Sequence, residues 1–154
     1  MSHKSTSFTG RDYLEASKER LSDVKKLSTN ANIVGAIYLS GTAVESIFRA
    51  HILQYTKAFD DKHNLVQLFA SSKIGLKLTE SERLIFAANL KSVASFWNNN
   101  LRYASGLRLR RTLGHEIVKE GKKCKDVSKY LLKRYSPLLD ASKQIVTKGA
   151  EKWT

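Results

Sequence analysis

The residues best suited to chemistry are the arginines and lysines crowded between Arg102 and Arg134. That stretch holds eleven of them against three acids, Glu116, Glu120 and Asp126. It therefore carries eight of the chain's thirteen net positive charges. Arginine dominates the first part, with Arg102, Arg108, Arg110 and Arg111. A guanidinium fork holds two phosphate oxygens at once, whereas a lysine ammonium acts as a point charge. Arg102, Arg108, Arg111, Lys122 and Lys123 are accordingly the candidate contacts to a nucleic-acid backbone. Binding of this kind weakens with salt by about 0.7 to 0.9 logarithmic units per phosphate neutralised. Tyr103, Tyr130 and Tyr135 are interleaved with the cations. Their rings can stack on unpaired bases, or can pack at the edge of a core. RNA or another polyanion is the expected partner. An acidic protein, or simple solubility, would use the same charge.

Other reactive side chains are sparse. Cys124 is the single cysteine, so no internal disulfide can form, and a reducing, cytoplasmic setting is expected. It stands among Lys122, Lys123 and Lys125 with no histidine at a spacing that would serve as its base. His51 falls in an apolar stretch near Arg49, which suits a packed, hydrogen-bonded ring. His63 falls at the start of a short helical pattern, where it caps or packs. No histidines, cysteines or carboxylates show metal-ligand spacing, and no glycine-rich phosphate loop follows a strand. Neither a metal nor a cofactor is expected.

The elements that must position these groups read as helices. The chain has 154 residues, 42% of them hydrophobic, with one proline and eight glycines. That suits one domain with a real core. Residues 1–8 read as a flexible tail and 9–150 as a single domain. The N-terminus has no apolar run of the signal-peptide kind. Ile33 to Val44 is too short to span a bilayer, so no membrane association is expected.

Thr9 and Asp12 stand in capping-box spacing and predict a helix from about Thr9 to Ser28–Asn30. Leu14, Leu21 and Val24 form its apolar stripe. A second helix is predicted from Asn32 to Phe59. It is apolar on most sides, as a helix surrounded by others must be. Its Ala36, Ser40, Gly41 and Ala43 would let a neighbour approach closely. Glu45 on this helix needs a partner if buried, and Arg49, four residues on, is the natural one, with Arg102 as another. After a turn at Asp60–Lys62, His63–Phe69 reads as a short helix. Thr79 and Glu82 again have capping-box spacing, and Phe86, Leu90, Val93, Trp97 and Leu101 follow at helical steps. Gly106, Gly114 and Gly121 punctuate Arg102–Lys125, predicting loop or short helical pieces. A helix resumes near Asp126 and is expected to restart at Ser136–Pro137. The predicted fold class is all-α, an antiparallel bundle of four main helices with short ones added.

Three local features together resemble the HEPN family of helical-bundle domains. The first is Ala36-Ile37-Tyr38-Leu39-Ser40-Gly41-Thr42-Ala43-Val44-Glu45, followed by Arg49-Ala50. The second is His63-Asn64-Leu65-Val66-Gln67-Leu68, similar to the family's His-x-Leu-x-x-Leu segment. The third is Arg102-Tyr103 after Trp97, like the downstream Arg-Tyr pair of many members. Together they cover about residues 33 to 103.

The resemblance implies a metal-independent endoribonuclease, of the kind that serves as a toxin or in defence. The family signature is an arginine, four to six residues, then a histidine. Arg110 to His115 has four intervening residues and Arg108 to His115 has six. By resemblance, His115 is the acid/base that moves a proton at the 2′-hydroxyl or the leaving oxygen. Arg110 is then the cation set against charge growing on the phosphorane. A homodimer is implied, so that two motifs face one cleft. The sequence departs from the pattern at Arg111, where active members carry a small polar residue, and at Gly114, which loosens a helix holding His115. Those departures leave a second implication open: a catalytically silent module that binds nucleic acid, a nucleotide or a nucleotidyltransferase-type antitoxin.

Overall fold

The computed structural model describes residues 7–29, 32–57, 62–97, 99–103, 105, 108 and 127–153. Among the described residues all regular structure is helical. Four long helices carry the fold: α1 (Gly10–Thr29), α2 (Ile33–Ile52), α4 (Glu80–Ala94) and α5 (Val127–Glu151). A short α3 (Leu65–Ser72) and two 3-10 turns, Ile74–Lys77 and Asn99–Tyr103, complete it.

The helix starts are set by side chains that satisfy otherwise orphaned backbone N–H groups. Thr9 and Asp12 form a reciprocal pair. The Asp12 N–H donates to Thr9 Oγ1 at 3.2 Å, and the Thr9 N–H donates to Asp12 Oδ2 at 2.6 Å. Asn32 caps α2 by accepting from the Gly35 N–H. Asn64 caps α3 by accepting from the Gln67 N–H. Thr79 and Glu82 make the full capping box of α4.

Fourteen of the twenty residues of α2 are buried, which makes it the central helix. α1, α3 and α5 all pack on it, and α4 packs on α5 and α3. One core cluster gathers Val44, Ile47, Phe48, Leu68, Phe86, Val93 and Ile145. A second gathers Val24, Ile33, Ala36, Ile37, Leu131, Tyr135 and Leu138. Leu101 packs against both.

Three boundaries differ from the sequence expectation. α2 stops at Ile52 rather than continuing to Phe59. Its apolar face runs out there: Tyr55, Thr56 and Lys57 are exposed, and the Gln54 and Tyr55 N–H groups take tighter bonds to His51 and Ile52. α4 ends at Ala94, so Trp97 and Leu101 sit in the turns that follow while still facing the core. α5 runs through Pro137 without the expected restart. Proline removes one backbone donor from a helix at a cost of roughly 3 kcal/mol. Leu131, Tyr135, Leu138, Ala141, Ile145 and Val146 form one buried face across it, and that burial outweighs the cost. No described helix is long and apolar enough to cross a membrane.

Candidate functional site

The two described ends of the basic segment rest on the bundle at one place. Its outgoing end is tied down by Trp97. The indole N–H donates to the Tyr38 carbonyl at 3.0 Å, and the ring lies against Gly41 so closely that a Cβ there would collide with it. The 3-10 turn Asn99–Tyr103 follows, with Leu101 inward. Its returning end is the first part of α5. There Leu131 and Tyr135 pack on Ile33, Ala36 and Ile37. Phe96 and Tyr135 join the two ends directly, their ring centroids 4.6 Å apart. Both anchors therefore rest on the first half of α2.

Leu131 aside, several described residues of the segment face outward. Tyr103 is 74% exposed. Arg108 is exposed, and its backbone N–H donates to Ser105 Oγ at 3.1 Å. Lys133 and Arg134 are exposed on α5. Tyr135 is buried in the core, so its ring is not a stacking platform. Arg102 lies on the Asn99–Tyr103 turn, with its side chain outside the described residues. Arg110, Arg111, His115, Lys122 and Lys123 lie outside the described residues, as does the side chain of Tyr130.

A second polar cluster sits one helical turn further along α2. Arg49 donates twice to Glu45 Oε1, through Nε at 3.0 Å and a terminal nitrogen at 2.8 Å. The same terminal nitrogen reaches the Lys62 carbonyl at 2.7 Å. His63 Nδ1 meets Glu45 Oε1 at 2.9 Å. The side chains of Arg49 and Glu45 are only 6% and 12% exposed, whereas that of His63 is 46% exposed. Arg49 as the partner of Glu45 was legible from their spacing. His63 as a third member was not, because eighteen residues and a turn separate it from Glu45.

Two further polar groups fasten the helices to each other. His51 is fully buried, and its Nε2 lies 2.8 Å from the Gly149 carbonyl. Lys77 Nζ stands 3.4 Å from His51 Nδ1 and also donates to Gln54 Oε1 and the Lys152 carbonyl. Glu82 accepts from Lys148 and Lys152, both at 3.3 Å, tying α4 to the end of α5. Its own capping bond to Thr79 is the main reason its carboxyl titrates low, at about 2. Among the described residues, no three His, Cys, Asp or Glu side chains are placed to hold a metal ion.

Scans against protein-family models, curated proteins and solved structures return no match to this chain.

Proposed function

We propose that this chain is a HEPN-like module that binds RNA through the segment between Arg102 and Arg134. The observation that carries the reading is the concentration of eleven lysines and arginines against three acids in that stretch. Exposed Tyr103, Arg108, Lys133 and Arg134 support it, since they put cations and a stacking ring on the outer surface beside both anchors.

The activity proposed for the module is metal-independent cleavage, with His115 moving a proton and Arg110 stabilising charge on the phosphorane. The support is the Arg110–His115 spacing and the family resemblance. Two copies are proposed to pair so that their motifs share a cleft. The test is labelled RNA incubated in EDTA with the wild type and with His115→Ala. Cleavage that the variant loses supports the enzyme. Cleavage that persists in the variant counts against His115.

A second reading rests on Arg111 and Gly114, which depart from the active pattern. In it the module is catalytically silent and binds RNA or a nucleotidyltransferase-type antitoxin. Salt-sensitive RNA binding without cleavage is its expected signature.

A further inference from the structure

We propose that the outer face of α4 is a self-pairing surface, on which a second copy of this chain lays its own α4 antiparallel to the first. The proposal gives the pairing of copies advanced above a place on the molecule, and it stands whether or not the chain binds or cleaves RNA.

α4 is apolar on two sides. Phe86, Leu90 and Val93 are buried in the core. Leu84, Ile85, Ala87 and Ala88 lie on the outside, with Leu84 71% and Ile85 60% exposed. One exposed leucine is ordinary, whereas a contiguous exposed apolar face marks a contact surface. A helix that is apolar around most of its circumference is one covered on both sides. α4 packs on α5 and α3 with its inner side.

Leu76 extends the face. It is 78% exposed. Arg83 Nε donates to the Gly75 carbonyl at 2.9 Å, which holds the turn carrying Leu76 beside the start of α4.

The order of residues along the face selects the occupant. Glu80, Leu84, Ala87 and Lys91 follow at steps of four, three and four, so they form one stripe, and all four are exposed. The stripe is its own complement in reverse. With two copies antiparallel about a two-fold axis between Ile85 and Phe86, Glu80 meets the partner's Lys91 and Leu84 meets the partner's Ala87. The axis repeats both contacts, so each acid faces a base and each large side chain faces a small one. An isologous interface needs this property, because the same patch must match itself. A parallel pairing would set Glu80 against the partner's Glu80 and Lys91 against the partner's Lys91, and like charges so placed repel. Alanine at the centre lets the two axes approach to about 8–10 Å.

The surface is one helix wide and about 22 Å long, from the fifteen residues of α4. Stable interfaces bury roughly 800 Å² on each partner, more than one helix face supplies. The pairing is therefore reversible, with an expected dissociation constant of about 10–100 μM.

The experiment is sedimentation velocity on the full chain from about 1 to 500 μM, a range that brackets that constant. Wild type is compared with Glu80→Lys, Lys91→Glu and Leu84→Lys, and circular dichroism melts check that each variant folds. The wild type is expected to pass from monomer to dimer across the range. Each variant alone is expected to pair about 10-fold more weakly or worse, since the two-fold axis repeats every unfavourable contact. The substituted positions are exposed, so melting temperatures are expected to stay within about two degrees of the wild type. The deciding arm is an equal mixture of Glu80→Lys and Lys91→Glu. Between those two chains every facing charge is again matched, and the mixture is expected to recover the wild-type affinity within about threefold.

A wild type that stays monomeric throughout overturns this surface and the shared-cleft pairing together. A dimer that all three variants leave intact overturns this surface alone. So does a mixture that stays as weak as its components. A monomeric wild type in which Leu84→Lys melts many degrees lower assigns the face to a segment of the same chain, and overturns the proposal as well.

Discussion

His51 Nε2 donates to the carbonyl oxygen of Gly149 across 2.8 Å, joining the C-terminal end of the molecule's central helix to the end of its last one. The carbonyl can only accept, and Lys77 on the other side can only donate, so the ring is neutral with its proton on Nε2. Burial is the main cause that holds its pKa below the ordinary 6.5. The Gly149 bond opposes that shift, and the Lys77 charge adds to it.

This arrangement makes stability depend on mild acid. A histidine whose folded pKa is depressed binds its proton more readily in the unfolded chain. Stability attributable to it is intact above pH 6.5 and falls as the pH drops below that value toward the folded pKa. Thermal melts of the wild type are expected to lose several degrees between pH 7 and pH 5.5. His51→Gln keeps a donor for Gly149 but cannot titrate, so its melting temperature should be lower at pH 7 and flatter over that interval. Glu82 acts in a separate window. Its depressed carboxyl contributes above its ordinary 4.5 and is lost as the pH falls toward about 2.

Gly149 also sets how closely α5 approaches α2. A Cβ there would stand 2.5 Å from Ile47 Cγ1, well inside contact distance. Gly149→Ala is expected to destabilise the protein by about 1–3 kcal/mol through overpacking, despite the higher helix propensity of alanine. Urea unfolding followed by circular dichroism measures it. Equal or greater stability would mean that α5 shifts freely on α2.

The Arg49–Glu45 pair gives a third expectation. Arg49→Met leaves Glu45 nearly buried with, among the described residues, His63 alone to face, and the Lys62 carbonyl loses a donor. A loss of about 3 kcal/mol is expected, typical of breaking a buried pair. Adding Glu45→Gln to that variant should restore part of it, because the unpaired charge is then gone. A double variant no better than the single one would contradict this account.

Much of the fold was legible because its signals are local. Thr9 with Asp12, and Thr79 with Glu82, mark helix starts through side chains three residues apart. The all-round apolar character of Ile33–Ile52 identifies a central helix. What escaped depends on distant partners. Trp97 continues the helical spacing of Phe86, Leu90 and Val93, yet the helix has already ended, and its indole reaches across 59 residues to Tyr38. Pro137 looks like a helix start, yet the buried face on both sides of it keeps α5 continuous. His63 joins Glu45 only because the chain folds back after α2. The basic segment itself was legible as composition. Arg110 and His115 stand on spacing and resemblance.

The central claim is that the segment from Arg102 to Arg134 is an RNA-binding surface, and salt titration tests it most directly. The affinity for labelled single-stranded RNA is measured from low to high salt, with the wild type and with Arg108→Glu, Arg111→Glu, Lys122→Glu and Lys123→Glu combined. Each lost phosphate contact should reduce the slope of log affinity against log salt by about 0.7. The combined variant is therefore expected to bind far more weakly and to lose roughly 3 units of slope. Unchanged affinity and an unchanged slope in that variant would contradict the account.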